Sequence, residues 1–217
     1  MKLRPDKKKI KDFLVMDGWV VILIALVSYV GFYWAIEAID SIKDYERIDY
    51  FIESYGLKDN TLAEDTLALL KENGVLESNV YDVSPDSSTK NAKFARFGAY
   101  SDICVLNQTD LDDVMEVIGD NFLPLSSSFK AGYEDGLSKN YSYYSAYDED
   151  YAIKIYDPAD VSYSGQFTFG NLMTFAKDGA DPEAYYLVIP LNSVNYGAKT
   201  VNGFAALHHF LKTYEAP

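Results

Sequence analysis

Hydrophobic and polar positions divide the chain into an N-terminal apolar run and a longer region of short, mixed segments. The segment Gly18–Ile36 contains 19 residues and no charged side chain, which matches the roughly 20 apolar residues of a membrane-spanning helix. Trp19 stands near one end of this run, and Tyr33 and Trp34 stand near the other. Such aromatic residues are enriched at membrane interfaces. The pattern predicts a single transmembrane helix.

The residues that flank this run predict its orientation. Six basic side chains precede it and none lies within it, so the positive-inside rule puts the N-terminus in the cytoplasm and the rest outside. A cleaved signal peptide is the alternative, but Ile36 is too bulky for the −3 position of the site Ile36-Glu37-Ala38. We therefore expect a single-pass protein of the cell membrane with an uncleaved signal anchor. Its parts are a cytoplasmic basic tail, the transmembrane helix, a charged stalk and an extracytoplasmic domain, over residues 1–17, 18–36, 37–47 and 48–217.

Strand-type and helix-type patterns alternate in the outer domain. Residues 47–54 alternate as in a strand, and Thr61–Glu64 has the spacing of a capping box at a helix start. Gly74 stands where a glycine would end that helix. The unbroken apolar run Ile103–Leu106 is typical of a strand buried on both faces of a sheet, and we expect Thr109 to cap the next helix. This order predicts an α/β lobe of three layers around a mixed, mostly parallel sheet.

A segment rich in tyrosine and acidic residues follows. Residues 133–163 contain eight tyrosines, seven acidic residues and two lysines, and the pattern predicts a hairpin of strands 141–147 and 151–156. Tyrosine has a flat apolar ring and a polar tip, which suits stacking on sugars or contact with a partner protein. We predict a ligand- or partner-binding surface at Tyr141, Tyr143, Tyr144 and Tyr147. The alternative is that these are ordinary strand residues, since tyrosine favours strands.

Composition limits the chemistry. The chain has 33 acidic and 19 basic side chains and a net charge of −14, which does not suit nucleic-acid binding. The single cysteine, Cys104, rules out a disulfide framework, and the two histidines, His208 and His209, are adjacent on a predicted helix and point about 100° apart. The acidic run 148–150 lacks the spacing of an EF-hand. Phosphate-binding loops and nucleophile elbows are absent from the sequence. We expect no enzyme activity, no cofactor and no metal.

Two stretches resemble bacterial extracellular solute-binding proteins, the receptors of ABC importers. In residues 101–126, Asp102-Ile103 begins a strand that a helix and the turn Asn121–Leu125 follow, which is similar to a strand–helix–turn pattern of that family. In residues 185–211, a strand and a helix are similar to a second family pattern, with matches at Pro190, Ser193, Asn195, Phe204, Phe210 and Leu211. The two stretches cover about a quarter of the chain. The resemblance implies one α/β lobe outside a bacterial membrane, whereas these receptors usually have two.

These observations predict a membrane-anchored, extracytoplasmic module that binds a small solute, a saccharide or a membrane-protein partner without catalysis. One alternative is an accessory or structural subunit of a membrane complex such as a transporter. A second alternative is a cell-envelope enzyme that acts on glycans through a pair of carboxylates.

Overall fold

The computed structural model of the chain describes residues 18–40, 42–118, 121–197 and 200–217. The predicted basic tail, 1–17, lies outside these residues. The apolar run forms the helix α1, Gly18–Asp40, in a unit that ends at Ile42. Judged on the described residues alone, none of the helices is both long enough and apolar enough to cross a membrane.

The second unit, Lys43–Pro217, contains a sheet and the helices that cover it. The strands are β1 (Arg47–Glu53), β2 (Glu77–Val83), β3 (Ile103–Asn107), β4 (Tyr143–Ala146), β5 (Glu149–Tyr156) and β6 (Tyr185–Val188). The helices are α2 (Leu62–Leu70), α3 (Lys90–Arg96), α4 (Gln108–Ile118), α5 (Ser127–Lys130), α6 (Val161–Ser164), α7 (Phe169–Leu172) and α8 (Asn202–Thr213). Short 3-10 helices lie at Asp44–Glu46, Lys71–Asn73 and Gly98–Tyr100.

Strand order in the sheet is β2-β1-β3-β6-β5-β4. The strand β1 is parallel to both β2 and β3, whereas the three contacts β3–β6, β6–β5 and β5–β4 are antiparallel. The predicted mixed α/β sheet is confirmed, but the expectation that it is mostly parallel is wrong. Parallel neighbours need a crossover connection, and only the first three strands have helical crossovers. The hairpin β4–β5 and the strand β6 add the antiparallel half.

Helices cover both faces of the sheet, which makes three layers. On one face, Leu62 of α2 and Phe210 of α8 belong to the same buried cluster as Ile48, Tyr50 and Ile52 of β1. On the other face, Phe94 of α3 and Leu111 and Met115 of α4 pack with Phe51, Cys104 and Leu106. This division follows from the alternation of side chains along a strand, and it puts Glu53, two residues after Phe51, on the α3–α4 face.

Of the helix caps predicted from local sequence signals, one is confirmed by the structure and the others are wrong. Gly74 has a φ of +86° and ends the 3-10 turn after α2, as predicted. Thr61 precedes α2, but its hydroxyl bonds the side chains of Asp59 and Asp65 instead of a backbone amide. The helix α4 begins directly after Asn107, whose side chain accepts from the Asp110 amide at 2.7 Å. The cap predicted at Thr109 is therefore wrong.

The two edges of the sheet are β2 and β4. The strand β4 has four residues and a register shift between Tyr144 and Ser145. The tip of its hairpin is Tyr147-Asp148, and both residues have positive φ values, of 52° and 65°. Two consecutive residues with positive φ are typical of the tight turn that matches the twist of a hairpin, which explains the predicted pairing of β4 with β5.

Candidate functional site

The candidate site lies at the carboxyl ends of β1 and β3. From β1 the chain passes through α2 to β2 on one side, and then through α3 to β3 on the other side of β1. Because α2 and α3 cover opposite faces of the sheet, this order makes a topological switch point between β1 and β3. In α/β sheets, ligands bind in the crevice outside the strand ends at such a point.

A cavity of about 350 Å³ opens at this position, and we call it the β1–β3 cavity. Its wall has five apolar residues from β1, β3, α3 and α4 and five polar residues: Phe51, Phe94, Leu106, Val114 and Val117, with Glu53, Lys90, Asn91, Asp110 and Asp113. The volume is within the range of pockets for small molecules, which combine apolar walls with a few convergent polar groups. The cavity can therefore hold a compact molecule.

Three ionisable side chains converge in its wall. Glu53, the last residue of β1, is only 1% exposed, and its Oε2 accepts from the Asn107 amide at 3.2 Å. Lys90, the first residue of α3, has its Nζ 3.6 Å from Glu53 Oε1 and 2.5 and 2.6 Å from the two Asp110 oxygens. Asp110 is held in turn by the Asn107 side-chain amide, which donates to its Oδ2 at 3.2 Å. Three elements thus fix one small charged network.

The pKa values of the two carboxyl groups in this network, Glu53 and Asp110, are shifted in opposite directions. Burial raises the pKa of Glu53 well above its ordinary value, and the hydrogen bond that it shares with Asp110 raises it further. Burial acts in the same direction on Asp110, but the hydrogen bonds from Glu53 and Lys90 outweigh it and lower the pKa of that carboxyl. At neutral pH, Glu53 therefore holds a proton that it donates to the Asp110 carboxylate, and Lys90 remains an ammonium.

Two of the predicted tyrosines share a second depression, of about 330 Å³, which we call the tyrosine groove. It is lined by Glu134, Leu137, Lys139, Asn140, Tyr141 and Tyr143. The Tyr141 ring stacks on Phe167 at 4.8 Å between centroids. The Tyr143 hydroxyl donates to Glu134 at 2.5 Å, and Lys130 Nζ lies 3.6 Å from the centre of the Tyr143 ring. The structure brings Tyr141 and Tyr143 together in one wall.

The other two tyrosines lie elsewhere. Tyr144 packs on the α3–α4 face, where its hydroxyl donates to Asp112 at 2.9 Å and its ring meets the edge of Tyr186. Tyr147 is exposed at the hairpin tip, against the ring of Tyr151. Strand alternation separates Tyr143 from Tyr144, so the four residues do not form one continuous surface.

Cys104 and His208, which the sequence analysis also considered, are held within the packed domain. Burial raises the pKa of the Cys104 thiol far above its ordinary value, which removes the thiolate that a reactive cysteine needs. His208 Nδ1 lies 2.8 Å from the Tyr133 carbonyl oxygen. Over the part of the chain that the structure describes, His, Cys, Asp and Glu side chains form no group that could hold a metal ion.

Sequence reasoning missed the network of Glu53, Lys90 and Asp110. Two signals were available: a glutamate on the buried face of an apolar strand, and the pair Asn107–Asp110 directly after another one. The site is defined by these residues, and the resemblance to solute-binding proteins stays a prediction. Comparisons of the chain with protein-family models, with curated proteins and with solved structures found no match.

Proposed function

We propose that the protein is a membrane-anchored, non-catalytic binding module whose β1–β3 cavity holds a small molecule. The observation that carries the proposal is a cavity of about 350 Å³ at the switch point of the sheet, with the buried carboxyl of Glu53 in its wall. Charged groups are rarely buried unless they are paired. A chain that keeps Glu53, Lys90 and Asp110 together beside an apolar cavity has the parts of a binding site.

The membrane anchor of this proposal is α1. Large apolar side chains are exposed all along its described part, which includes Ile22, Leu26, Val27, Phe32 and Trp34. A continuous exposed apolar surface of this kind needs a covering, and a lipid bilayer provides one. The uncharged run and its basic flank support a single-pass orientation with the domain outside the cell, as in a tethered lobe of a solute-binding protein.

Membrane attachment and orientation are tested together on the full chain. We expect the protein to stay in the membrane fraction at alkaline pH. In intact cells, a membrane-impermeant maleimide should label the variant Asp86→Cys but not Lys7→Cys, with the buried native Cys104 as an unreactive background. Release at alkaline pH would refute the anchor, and labelling of Lys7→Cys alone would refute the orientation.

Ligand binding is tested by a thermal-shift screen of the full chain in detergent with amino acids, amines, peptides and saccharides. A ligand at 100 times its Kd adds about 2.7 kcal/mol to the stability of the folded state. Val117 lines the β1–β3 cavity and is 79% exposed, whereas Val161 is 76% exposed on α6. We therefore expect Val117→Trp to weaken binding by about tenfold or more, or ~1.4 kcal/mol, and the matched control Val161→Trp to leave it unchanged.

Two outcomes of that screen would overturn the proposal. A ligand whose binding ignores Val117→Trp occupies another site. A cooperative melt that no compound shifts, together with a membrane protein that copurifies only when residues 18–36 are present, would favour the accessory-subunit interpretation instead.

The tyrosine groove supports a second candidate function, saccharide binding. Tyr141 and Tyr143 line this depression beside polar groups of Glu134, Lys139 and Asn140, and aromatic rings with polar neighbours suit sugar recognition. Titration with cell-wall oligosaccharides should show binding that Tyr143→Ala abolishes. Tyr147→Ala is the matched control, because Tyr147 is exposed at the hairpin tip and lies outside the residues that line the groove. Equal loss in both variants would refute a site in the groove.

A further inference from the structure

One oxygen of the buried Glu53 carboxyl accepts no hydrogen bond. Among the described residues no group donates to Glu53 Oε1, and Lys90 Nζ stands 3.6 Å from it. The Lys90 ammonium is directed at Asp110, at 2.5 and 2.6 Å from its two oxygens. While Glu53 is protonated, the carboxyl donates its proton to Asp110. Once Glu53 is ionised, Oε1 is a buried acceptor without a donor, which costs free energy. Oε1 is thus left for a proton shared with Asp110 or for a donor from outside the chain.

The charges in the wall of the β1–β3 cavity favour a cation as that donor. Its lining includes three carboxyl groups, Glu53, Asp110 and Asp113, against the single ammonium of Lys90. The formal charge is −2, or −1 while Glu53 keeps its proton. An anionic ligand would meet Asp110 and Asp113 at close range, which is unfavourable in a partly desolvated site.

The apolar residues of the wall determine which chemical group the rest of the ligand can carry. Phe51, Phe94 and Leu106 form the inner wall, and Val114 and Val117 of α4 continue it to the surface. A strongly hydrated small ion would leave these residues without contacts. A hydrocarbon or aromatic group of a few carbon atoms would fill the space beside them, with a gain of free energy from each buried methylene.

We infer that the β1–β3 cavity binds a small organic amine in its protonated form, with the ammonium between Glu53 and Asp110 and a compact apolar group against Phe51, Phe94 and Val114. This inference rests on the proposed function and names the ligand class for the same cavity. The ammonium supplies the N–H donor that Oε1 of the ionised Glu53 carboxyl lacks.

Binding of the amine exchanges one proton. In the empty cavity Glu53 is a carboxylic acid; when the ammonium binds, the O–H bond of the carboxyl breaks and its proton passes to a buffer base, and no covalent bond forms between the protein and the amine. The ionisable groups that face Glu53 are Asp110, Lys90, Tyr55, Cys104 and Tyr185. Burial raises the pKa of Tyr55, of Cys104 and of Tyr185, so these three groups remain neutral while Glu53 titrates. The affinity for the amine should therefore rise with pH, by at most about tenfold per pH unit.

The inference is tested by calorimetric titration of the full chain in detergent with 2-phenylethylamine and its neutral counterpart 2-phenylethanol. We expect the amine to bind about tenfold or more tightly than the alcohol. The heat should differ between phosphate and HEPES buffers at pH 7.5 by the ionisation of about one proton. The variant Glu53→Gln should remove both the preference for the amine and the proton release. Asp113→Asn, an exposed position at the cavity mouth, should lower amine affinity about threefold, and the exposed Asp86→Asn should change nothing.

The possible outcomes distinguish a wrong ligand class from a wrong proposed function. If the alcohol binds as tightly as the amine, and Val117→Trp weakens both, the cavity is a binding site but the ligand class is wrong. If both compounds bind and ignore Val117→Trp, the proposed function fails as well. If neither compound binds, the inference is overturned, and the thermal-shift screen alone decides the proposed function. Should Glu53→Gln not fold, the amine preference of the Asp113→Asn variant decides the ligand class.

Discussion

The buried carboxyl of Asp102, the residue directly before β3, makes the stability of the domain depend on pH. Burial raises the pKa of Asp102 to about 6 from 3.8, although Ser193, the Asp49 amide and Asn195 all donate to it and act against this rise. The donor distances are 2.5, 2.9 and 2.9 Å, respectively. Because the folded state binds the proton more tightly, the free energy of unfolding falls as pH rises from about 4 to about 6. The pKa difference corresponds to about 3 kcal/mol.

The variant Asp102→Asn cannot titrate, so it should lose this dependence. We expect the free energy of unfolding of the wild-type chain, relative to that of the variant, to fall by about 3 kcal/mol between pH 3 and pH 7. Urea unfolding of the full chain in detergent, followed by near-ultraviolet circular dichroism of the tyrosines, measures it. Exposed Asp86→Asn serves as the control. A difference that stays flat or rises with pH would refute the reasoning, because the three donors would then outweigh burial.

Three further predictions concern packing and the charged network. Phe210→Ala should cost about 3–5 kcal/mol of stability, which urea unfolding measures, because the ring is fully buried between α8 and β1. Gly203→Ala should destabilise the domain by about 1–3 kcal/mol, since a new Cβ would lie 2.8 Å from the Tyr196 ring, whereas Gly170→Ala should be near neutral because nothing lies within 4 Å. Lys90→Met should cost about 1–3 kcal/mol at pH 7 and less at pH 3, because it leaves the carboxylate that it binds uncompensated; equal losses at both pH values would contradict this.

Features that depend on neighbouring residues could be predicted from the sequence. The strand β1, the glycine at Gly74 and the β4–β5 hairpin depend on neighbours in the chain, and all three are present. Whether the strands of the sheet are mostly parallel or mostly antiparallel could not be predicted in this way. It depends on β6, whose place beside β3 is a contact between segments about 80 residues apart.

The candidate site was missed for the same reason. Glu53, Lys90 and Asp110 come from three segments of the chain, and only the crossover from β2 to β3 brings them to one strand end. Local patterns also compete: Asn107 and Thr109 are both good cap residues, and the end of β3 at Asn107 decides between them. The high tyrosine content of this segment is evident in the sequence. Which tyrosines line the tyrosine groove depends on the alternation of side chains along β4.

The two sheet edges have a consequence for how copies of the protein meet at high local concentration. An unpaired strand edge is a template on which a neighbouring molecule can add a strand. Here β4 offers only four residues, interrupted by a register shift, and β2 carries the acidic residues Glu77 and Asp82. A second copy approaching β2 would bring its own carboxylates against these. The short, irregular β4 and the acidic β2 therefore disfavour the addition of strands from other molecules and the growth of a continuous intermolecular sheet.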